Sequence, residues 1–303
     1  MSALSGVLAQ TPAQKALLCA FLLVSAVNLS SNLLNDLRPA AGPTAFTCEC
    51  TAKQGATGVT DAEKCAAEKK AAQARDAAEK PFETPAFISK VLLMPLLAAL
   101  YFLRTRGAAS DIPRLALMLA LFACWLGDIF LGLKTKDPSL HFMLGMGAFG
   151  VAHLFYIRGF LKAVDLKRLD KTVLAYGLPF IVYAFMMYSV LYHDMVDPGE
   201  ESMRLPLGLY MVVLISNGLS SFLRFHQQRS LSAASILAGV VLFVQSDSFI
   251  AVARFVDQEL PLEDFSVMAT YILGQYLIIR GCVLRTKELA APQEPRATLL
   301  AAA

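Results

Sequence analysis

Three ionisable residues stand where a chain rarely keeps them: Lys90, Asp128 and Asp247 each lie well inside a long apolar stretch. A charge at the centre of a membrane helix costs roughly 3 kcal/mol or more to insert, so such residues are functional candidates by default. Two carboxylates in one low-dielectric site can divide acid–base work. One holds its proton and delivers it; the other stays ionised and stabilises a developing cation. A lysine beside one of them selects that one as the ionised partner. The same parts also make a proton relay, the usual equipment of a transporter.

The elements that carry these residues follow from composition. Of 303 residues, 56% are hydrophobic and 17% charged, with a mean hydropathy of +0.53 and a formal charge of +3. A soluble domain carries about 25% charged residues, and a chain this poor in charge cannot cover a water-facing surface. The charge is bunched between apolar runs, and no basic stripe with interleaved aromatics appears. That excludes a nucleic-acid binder, a disordered chain and a disulfide-dense secreted module. Eight segments approach or reach the about 20 apolar residues that a hydrocarbon core of roughly 30 Å requires: 16–35, 86–103, 115–133, 139–161, 172–192, 205–223, 231–253 and 266–284. The expected fold is all-α, a polytopic membrane protein with eight transmembrane helices. The first span reads as a helix and not a secretory signal, being too long for an h-region and followed by no small-residue cleavage site before Asp36.

Lysine and arginine in the short loops set the orientation. Loops after the second, fourth and sixth spans hold Arg104, Arg106, Arg114, Lys162, Lys167, Arg168, Lys171, Arg224 and Arg229; those opposite hold Lys134, Lys136, Arg204 and Arg254 with most loop acids. Both termini are therefore expected in the cytoplasm, 1–15 as the N-terminus and 285–303 as a disordered tail. The loop 36–85 is then external. It carries Cys48, Cys50 and Cys65, the last in an Ala/Glu/Lys run that favours a solvated helix. A disulfide from Cys65 to Cys48 or Cys50 stands beside the alternative of three free thiols. This loop suggests a periplasm and hence a bacterial inner membrane, ahead of the endoplasmic reticulum. Cys19, Cys124 and Cys282 read as packing residues.

Counting 1.5 Å per residue from the external span ends puts Asp128 about 8 Å deep, Asp247 about 9 Å, Lys90 about 6 Å, and Tyr210 and Tyr271 about 8 Å. Five helices thus contribute to one layer in the outer half. Asn28 and Asn32, four apart, form a stripe approaching it; Gln275 lies one turn deeper on the face of Tyr271, and His153 with Tyr156 deeper still. Lipid-facing carboxylates are disfavoured, so both aspartates are expected to face the bundle interior, into one cavity. Each residue has a plainer alternative. Lys90 can snorkel to headgroups or form a buried ion pair with an aspartate, the tyrosines can be belt residues, the asparagines interhelical glue, and His153 a packing histidine.

Other motifs carry less. Gly145-Met-Gly147-Ala-Phe-Gly150 matches the dinucleotide fingerprint as a string but has no preceding strand, and reads as close helix packing through small residues. His141, His153, His193 and His226 show no metal-ligand pairing and there is no CxxC, so no metal site is expected. There is no GxSxG elbow.

Lys90 with Pro95, Gly127-Asp128, Phe142-x-x-Gly145, Phe149-x-x-x-His153-x-x-Tyr156, Gly239-x-x-x-Phe243-x-x-Ser246-Asp247 and Tyr271-x-x-x-Gln275-Tyr276-Leu277 follow one another along the spans. In that order they resemble the lysoplasmalogenase (YhhN-like) family of eight-helix membrane proteins; the long cysteine-bearing loop departs from the compact family pattern. The resemblance implies a hydrolase that cleaves the vinyl ether bond of lysoplasmalogens to a fatty aldehyde and glycerophosphoethanolamine or glycerophosphocholine. It implies Asp128 and Asp247 as the catalytic pair, with Lys90, His153, Tyr156, Tyr271 and Gln275 lining or supporting the site. Tyr210 and Asn32 join them as substrate-binding candidates from the polar layer. The expected partners are the lysophospholipid substrate and membrane lipids, with no nucleic acid and no cofactor.

The chemistry independently suits two carboxylates, because vinyl ether hydrolysis begins with proton transfer to carbon and passes through an oxocarbenium ion, as glycoside hydrolysis does. Asp247 is the preferred acid and Asp128 the ionised partner, since Lys90 precedes the helix of Asp128. A proton-coupled small-molecule or lipid transporter is the alternative, although inverted symmetry is not evident. An intramembrane aspartyl protease would resemble its relatives in a Tyr-Asp and a Gly-x-Gly-Asp motif; here stand Trp125-Leu126-Gly127-Asp128 and Ser246-Asp247.

Overall fold

A computed structural model describes residues 11–37, 83–133, 137–168, 171–194, 201–256 and 261–291. Cys48, Cys50 and Cys65, with the disulfide expected among them, lie outside the described residues. In hydrocarbon each backbone N–H and C=O must be satisfied within its own segment, so apolar runs of this length fold as helices. Eight do, each long and apolar enough to cross a membrane: α1 Pro12–Asp36, α2 Glu83–Thr105, α3 Arg114–Gly132, α4 Pro138–Leu161, α5 Lys171–Asp194, α6 Arg204–Gln228, α7 Leu231–Phe255 and α8 Glu263–Ala290. The protein is an integral membrane protein with an all-α fold.

Several helices outrun their apolar spans, for local reasons. α1 starts at Pro12 because Thr11 and Gln14 form a reciprocal capping box. α6 continues past residue 223 because Arg224 is no loop residue: it is fully buried, 2.7 Å from Asp111 in the α2–α3 connection. α8 stays helical to Ala290, well into the expected tail. There Arg285 meets the same Asp111 at 2.7 Å, and Glu288 accepts hydrogen bonds from the Ser232 backbone N–H and hydroxyl at the start of α7. Burial pushes the Asp111 carboxyl up, but hydrogen bonds and charge from Arg285 and Arg224 outweigh it and hold the group below the usual carboxylate range.

The helices close a ring in the order α1, α2, α3, α4, α6, α7, α8 and back to α1, with α5 packed outside against α6 and α7. Leu93, Leu97, Phe149, Tyr156, Phe243 and Ile278 fill the interior, while Leu23, Phe185, Leu205 and Leu209 stand exposed on the outer surface, where lipid would cover them. α7 and α8 touch backbone to backbone. A Cβ on Gly239 would lie 2.6 Å from the Gly274 carbonyl oxygen, and one on Gly274 would lie 2.9 Å from that of Gly239, so this approach requires glycine on both sides.

Candidate functional site

The site begins with a proline. Pro95 has no N–H, so the carbonyl of Val91, four residues earlier in α2, loses its helical partner. Trp125 of α3 takes it, its indole Nε1 donating at 3.0 Å. This pins α2 to α3 beside Lys90, which precedes Val91, and Asp128, one turn beyond Trp125. Lys90 Nζ lies 3.6 Å from Asp128 Oδ1, and the Tyr271 hydroxyl on α8 donates to Oδ2 at 2.8 Å. Asp128 is 1% exposed, and its Oδ1 has no hydrogen-bond partner among the described residues. The lysine therefore compensates that oxygen by charge.

Asp247, on α7, has its own partners. Tyr210 of α6 donates to Oδ2 at 2.7 Å, and His153 Nε2 of α4 lies 2.9 Å from the same oxygen. Asn217 of α6 places its amide nitrogen 2.9 Å from His153 Nδ1. An amide nitrogen only donates, so in this arrangement Nδ1 accepts and Nε2 carries the hydrogen that goes to Asp247. One turn inward, Tyr156 donates to Gln275 Oε1 at 2.7 Å and Gln275 Nε2 donates to Cys124 Sγ at 3.3 Å. That pair braces α4, α8 and α3 beneath both carboxylates without touching either.

Between the clusters lies an aromatic knot. Phe149 packs edge-on against Phe243 and Tyr271, with ring centroids 6.1 and 6.0 Å apart, and lies against Gly127, where a Cβ would stand 2.7 Å from its ring. The glycine before Asp128 is thus the seat of this phenylalanine.

Two cavities lie near these residues. The larger, about 550 Å³, is walled by Asn28, Asn32 and Asn35 of α1, Thr84 and Lys90 of α2, and Asp264 of α8, among others. The smaller, about 30 Å³, is apolar apart from Asp247, Tyr210 and Ser248, and is formed largely by Phe142, Met146, Met211 and Leu214. Leu131 belongs to both walls. The aspartates do face the bundle interior, but they do not share one open cavity: Asp247 borders the apolar one, whereas Asp128 stands behind Lys90 at the polar one. The packed side chain of Leu131, which no span count contains, stands at the division.

Residue depth also misplaced His153. From the start of α4 it lies about 22 Å along the helix, whereas Asp247 lies about 12 Å from the end of α7. The two side chains nevertheless meet, because α4 begins about two turns further out. Asn217, Asn35 and Thr84 went unnoticed in the sequence, though the rule that flagged Asn28 and Asn32 applies to Asn217 in the middle of α6. Gly145 holds a close contact, its Cβ position lying 2.7 Å from Leu131, while Gly147 has nothing within 4 Å. The small-residue packing expected of that motif is thus confined to part of it. Among the described residues, no group of three His, Cys, Asp or Glu side chains could hold a metal ion.

Residues 86–282 match the profile of the YhhN family, from the first turn of α2 to the last third of α8. No curated protein and no solved structure matches the chain.

Proposed function

The chain belongs to the YhhN family and is lysoplasmalogenase-like, and from that premise we propose that it hydrolyses the vinyl ether bond of lysoplasmalogens. The products are a fatty aldehyde and glycerophosphoethanolamine or glycerophosphocholine. The observation that carries this reading is the pair of cavities abutting at Leu131, one polar beside Lys90 and Asp128, one apolar beside Asp247. A single-tailed lipid divides the same way in polarity, with a zwitterionic head, an alkyl chain and the vinyl ether where they join, and the apolar space of about 30 Å³ has to widen to take the chain.

In the proposed reaction Asp247 is the general acid. Its Oδ2 accepts from Tyr210 and His153, which leaves Oδ1 to carry the transferable proton. That proton goes to the alkene carbon one removed from oxygen; the π electrons form the C–H bond and an ether oxygen lone pair relieves the adjacent carbon, giving an oxocarbenium ion. Asp128, ionised beside Lys90, stabilises the cation and takes a proton from water as the water oxygen bonds to that carbon. The hemiacetal then returns its hydroxyl proton to Asp247 while the carbon–oxygen bond to glycerol breaks, and the glycerol oxygen takes the proton from Asp128. One water is consumed and both carboxyls are restored. Substrate must displace Leu131 or Phe149 to lie between the two acids. The polar cavity faces the external leaflet in this reading, in a bacterial inner membrane.

The test is aldehyde release from synthetic lysoplasmalogen by the purified protein in detergent. Asp128→Asn and Asp247→Asn are each expected to lower turnover by about 10²–10⁴-fold, the usual weight of a positioned acid or base, with the protein still folded. Turnover like wild type in either variant removes that residue from the mechanism. Movement of intact lipid by wild type without cleavage would favour the transporter alternative.

A further inference from the structure

α1 lies outside the residues matched to the family, yet it supplies three buried asparagines, at i, i+4 and i+7, to the wall of the polar cavity. Their hydrogen bonds run in one direction. Asn28 donates from Nδ2 to the Ala86 carbonyl at 2.9 Å and to Ser89 Oγ at 3.0 Å, which ties α1 to α2. Asn32 donates from Nδ2 to the Asn28 carbonyl and to Asn28 Oδ1, both at 3.0 Å. With its nitrogen engaged, Asn32 has its carbonyl oxygen to offer a ligand. Asn35 completes the series: it is buried, and its Oδ1 has no hydrogen-bond partner among the described residues. A buried acceptor left unmade is costly; Asn35 lines the cavity, so a small turn of its side chain would bring that oxygen to a donor carried by a ligand. The next residue, Asp36, accepts the Phe265 N–H at 2.8 Å, fixing this end of α1 to the start of α8, where Asp264 also borders the cavity.

The wall therefore presents amide and carboxylate oxygens toward its α1–α8 side and a single lysine at the other, with about 10 Å of helix between Asn28 and Asn35. A zwitterion matches that order, its phosphate toward Lys90 and its cation toward the oxygens. The two candidate cations differ in one respect. A primary ammonium has three N–H donors for such acceptors; a trimethylammonium has none and would leave Asn35 Oδ1 buried and unpaired.

We propose that this cavity is a headgroup subsite selecting a primary ammonium, so that ethanolamine lysolipids are preferred to choline lysolipids, with Asn35 the specificity-determining residue. The inference rests on the hydrolase reading for its substrate class. A site built to hydrogen-bond a substrate N–H discriminates strongly against an analogue without one, and the expected preference in kcat/KM is on the order of tenfold or more.

The experiment compares lysoplasmenylethanolamine with lysoplasmenylcholine as substrates of the full-length protein. It also measures the thermal stabilisation given by the saturated 1-O-alkyl lysolipids of both headgroups, which bind without being cleaved. Wild type should favour the ethanolamine substrate, and Asn35→Leu should bring the ratio close to one, chiefly by raising KM for ethanolamine. Asn35→Asp, which keeps the acceptor oxygens, should retain the preference and serves if the leucine variant does not fold. Equal use of both substrates by wild type, or an unchanged ratio in a folded Asn35→Leu protein, overturns the subsite and leaves the hydrolase intact. If neither substrate is cleaved, the hydrolase reading fails, and the subsite is judged by the saturated lipids alone. Greater stabilisation by the ethanolamine form, lost in Asn35→Leu, upholds it, and equal stabilisation overturns it.

Discussion

Replacing Lys90 with methionine should cost the folded protein about 3–5 kcal/mol, and replacing Asp128 with asparagine in the same chain should return most of that loss. The magnitude follows from the geometry. At 3.6 Å and an effective dielectric of about 20, the Nζ–Oδ1 attraction is about 5 kcal/mol. Much of it is offset by desolvation, because the Asp128 side chain is 1% exposed and that of Lys90 only 19%. The intact pair is therefore close to neutral, whereas an orphaned carboxylate keeps its desolvation penalty with only the Tyr271 hydroxyl to offset it. Asparagine at 128 removes the charge and still offers that hydroxyl an oxygen. The assay is equilibrium unfolding of four proteins in mild detergent: wild type, Lys90→Met, Asp128→Asn and the double variant. A coupling energy of at least about 2 kcal/mol is expected. If the two single effects add within about 0.5 kcal/mol, the residues do not interact in the folded protein and the ion-pair argument is wrong.

Two further perturbations separate local causes. Gly145→Ala puts a methyl 2.7 Å from Leu131, the side chain common to both cavities, while Gly147→Ala meets nothing within 4 Å. The first should lower stability by about 1–3 kcal/mol and depress aldehyde release, the second should change stability by less than about 0.5 kcal/mol, and equal behaviour in melting and turnover assays would reject the packing explanation. Asp111 has a folded-state proton affinity below its unfolded one, so its contribution to stability is complete above the unfolded pKa of about 4 and is lost as pH falls through the lower folded value. Unfolding measured from neutral to acid pH should therefore show a loss below about pH 4 that is absent in Asp111→Asn; the same acid loss in that variant would assign it elsewhere.

The helices were legible because lipid leaves the chain little choice. A backbone without water must close its own hydrogen bonds, and the hydrocarbon thickness fixes how long each apolar run has to be. The expense of a buried charge made Lys90, Asp128 and Asp247 visible by the same logic, and it drew attention to Tyr210 and Tyr271 at their depth. Azimuth was not legible. Nothing in the fourth span says that His153 turns toward α7 while Tyr156, three residues on, turns toward Gln275 of α8. Counting from span ends also assumes that all helices begin at one height; α4 starts within a residue of its expected span and still brings His153 to Asp247, so the outer ends of α4 and α7 are not level. Arg224 looked like a loop cation because hydropathy falls where α6 leaves the apolar core, although the helix continues and Asp111 and Arg285 build a polar socket with it. The separation into two cavities falls at Leu131, a side chain unremarkable as a letter.

The contact of Gly239 with Gly274 has a mechanical consequence. Asp247 stands eight residues beyond the first glycine on α7, and Tyr271 three residues before the second on α8. Main chain already in van der Waals contact has no compressible side chain left to yield, so this seam is the fixed jaw of the bundle. Any opening that admits the proposed substrate has to come from seams closed by rotatable side chains, and the α7–α8 side stays shut.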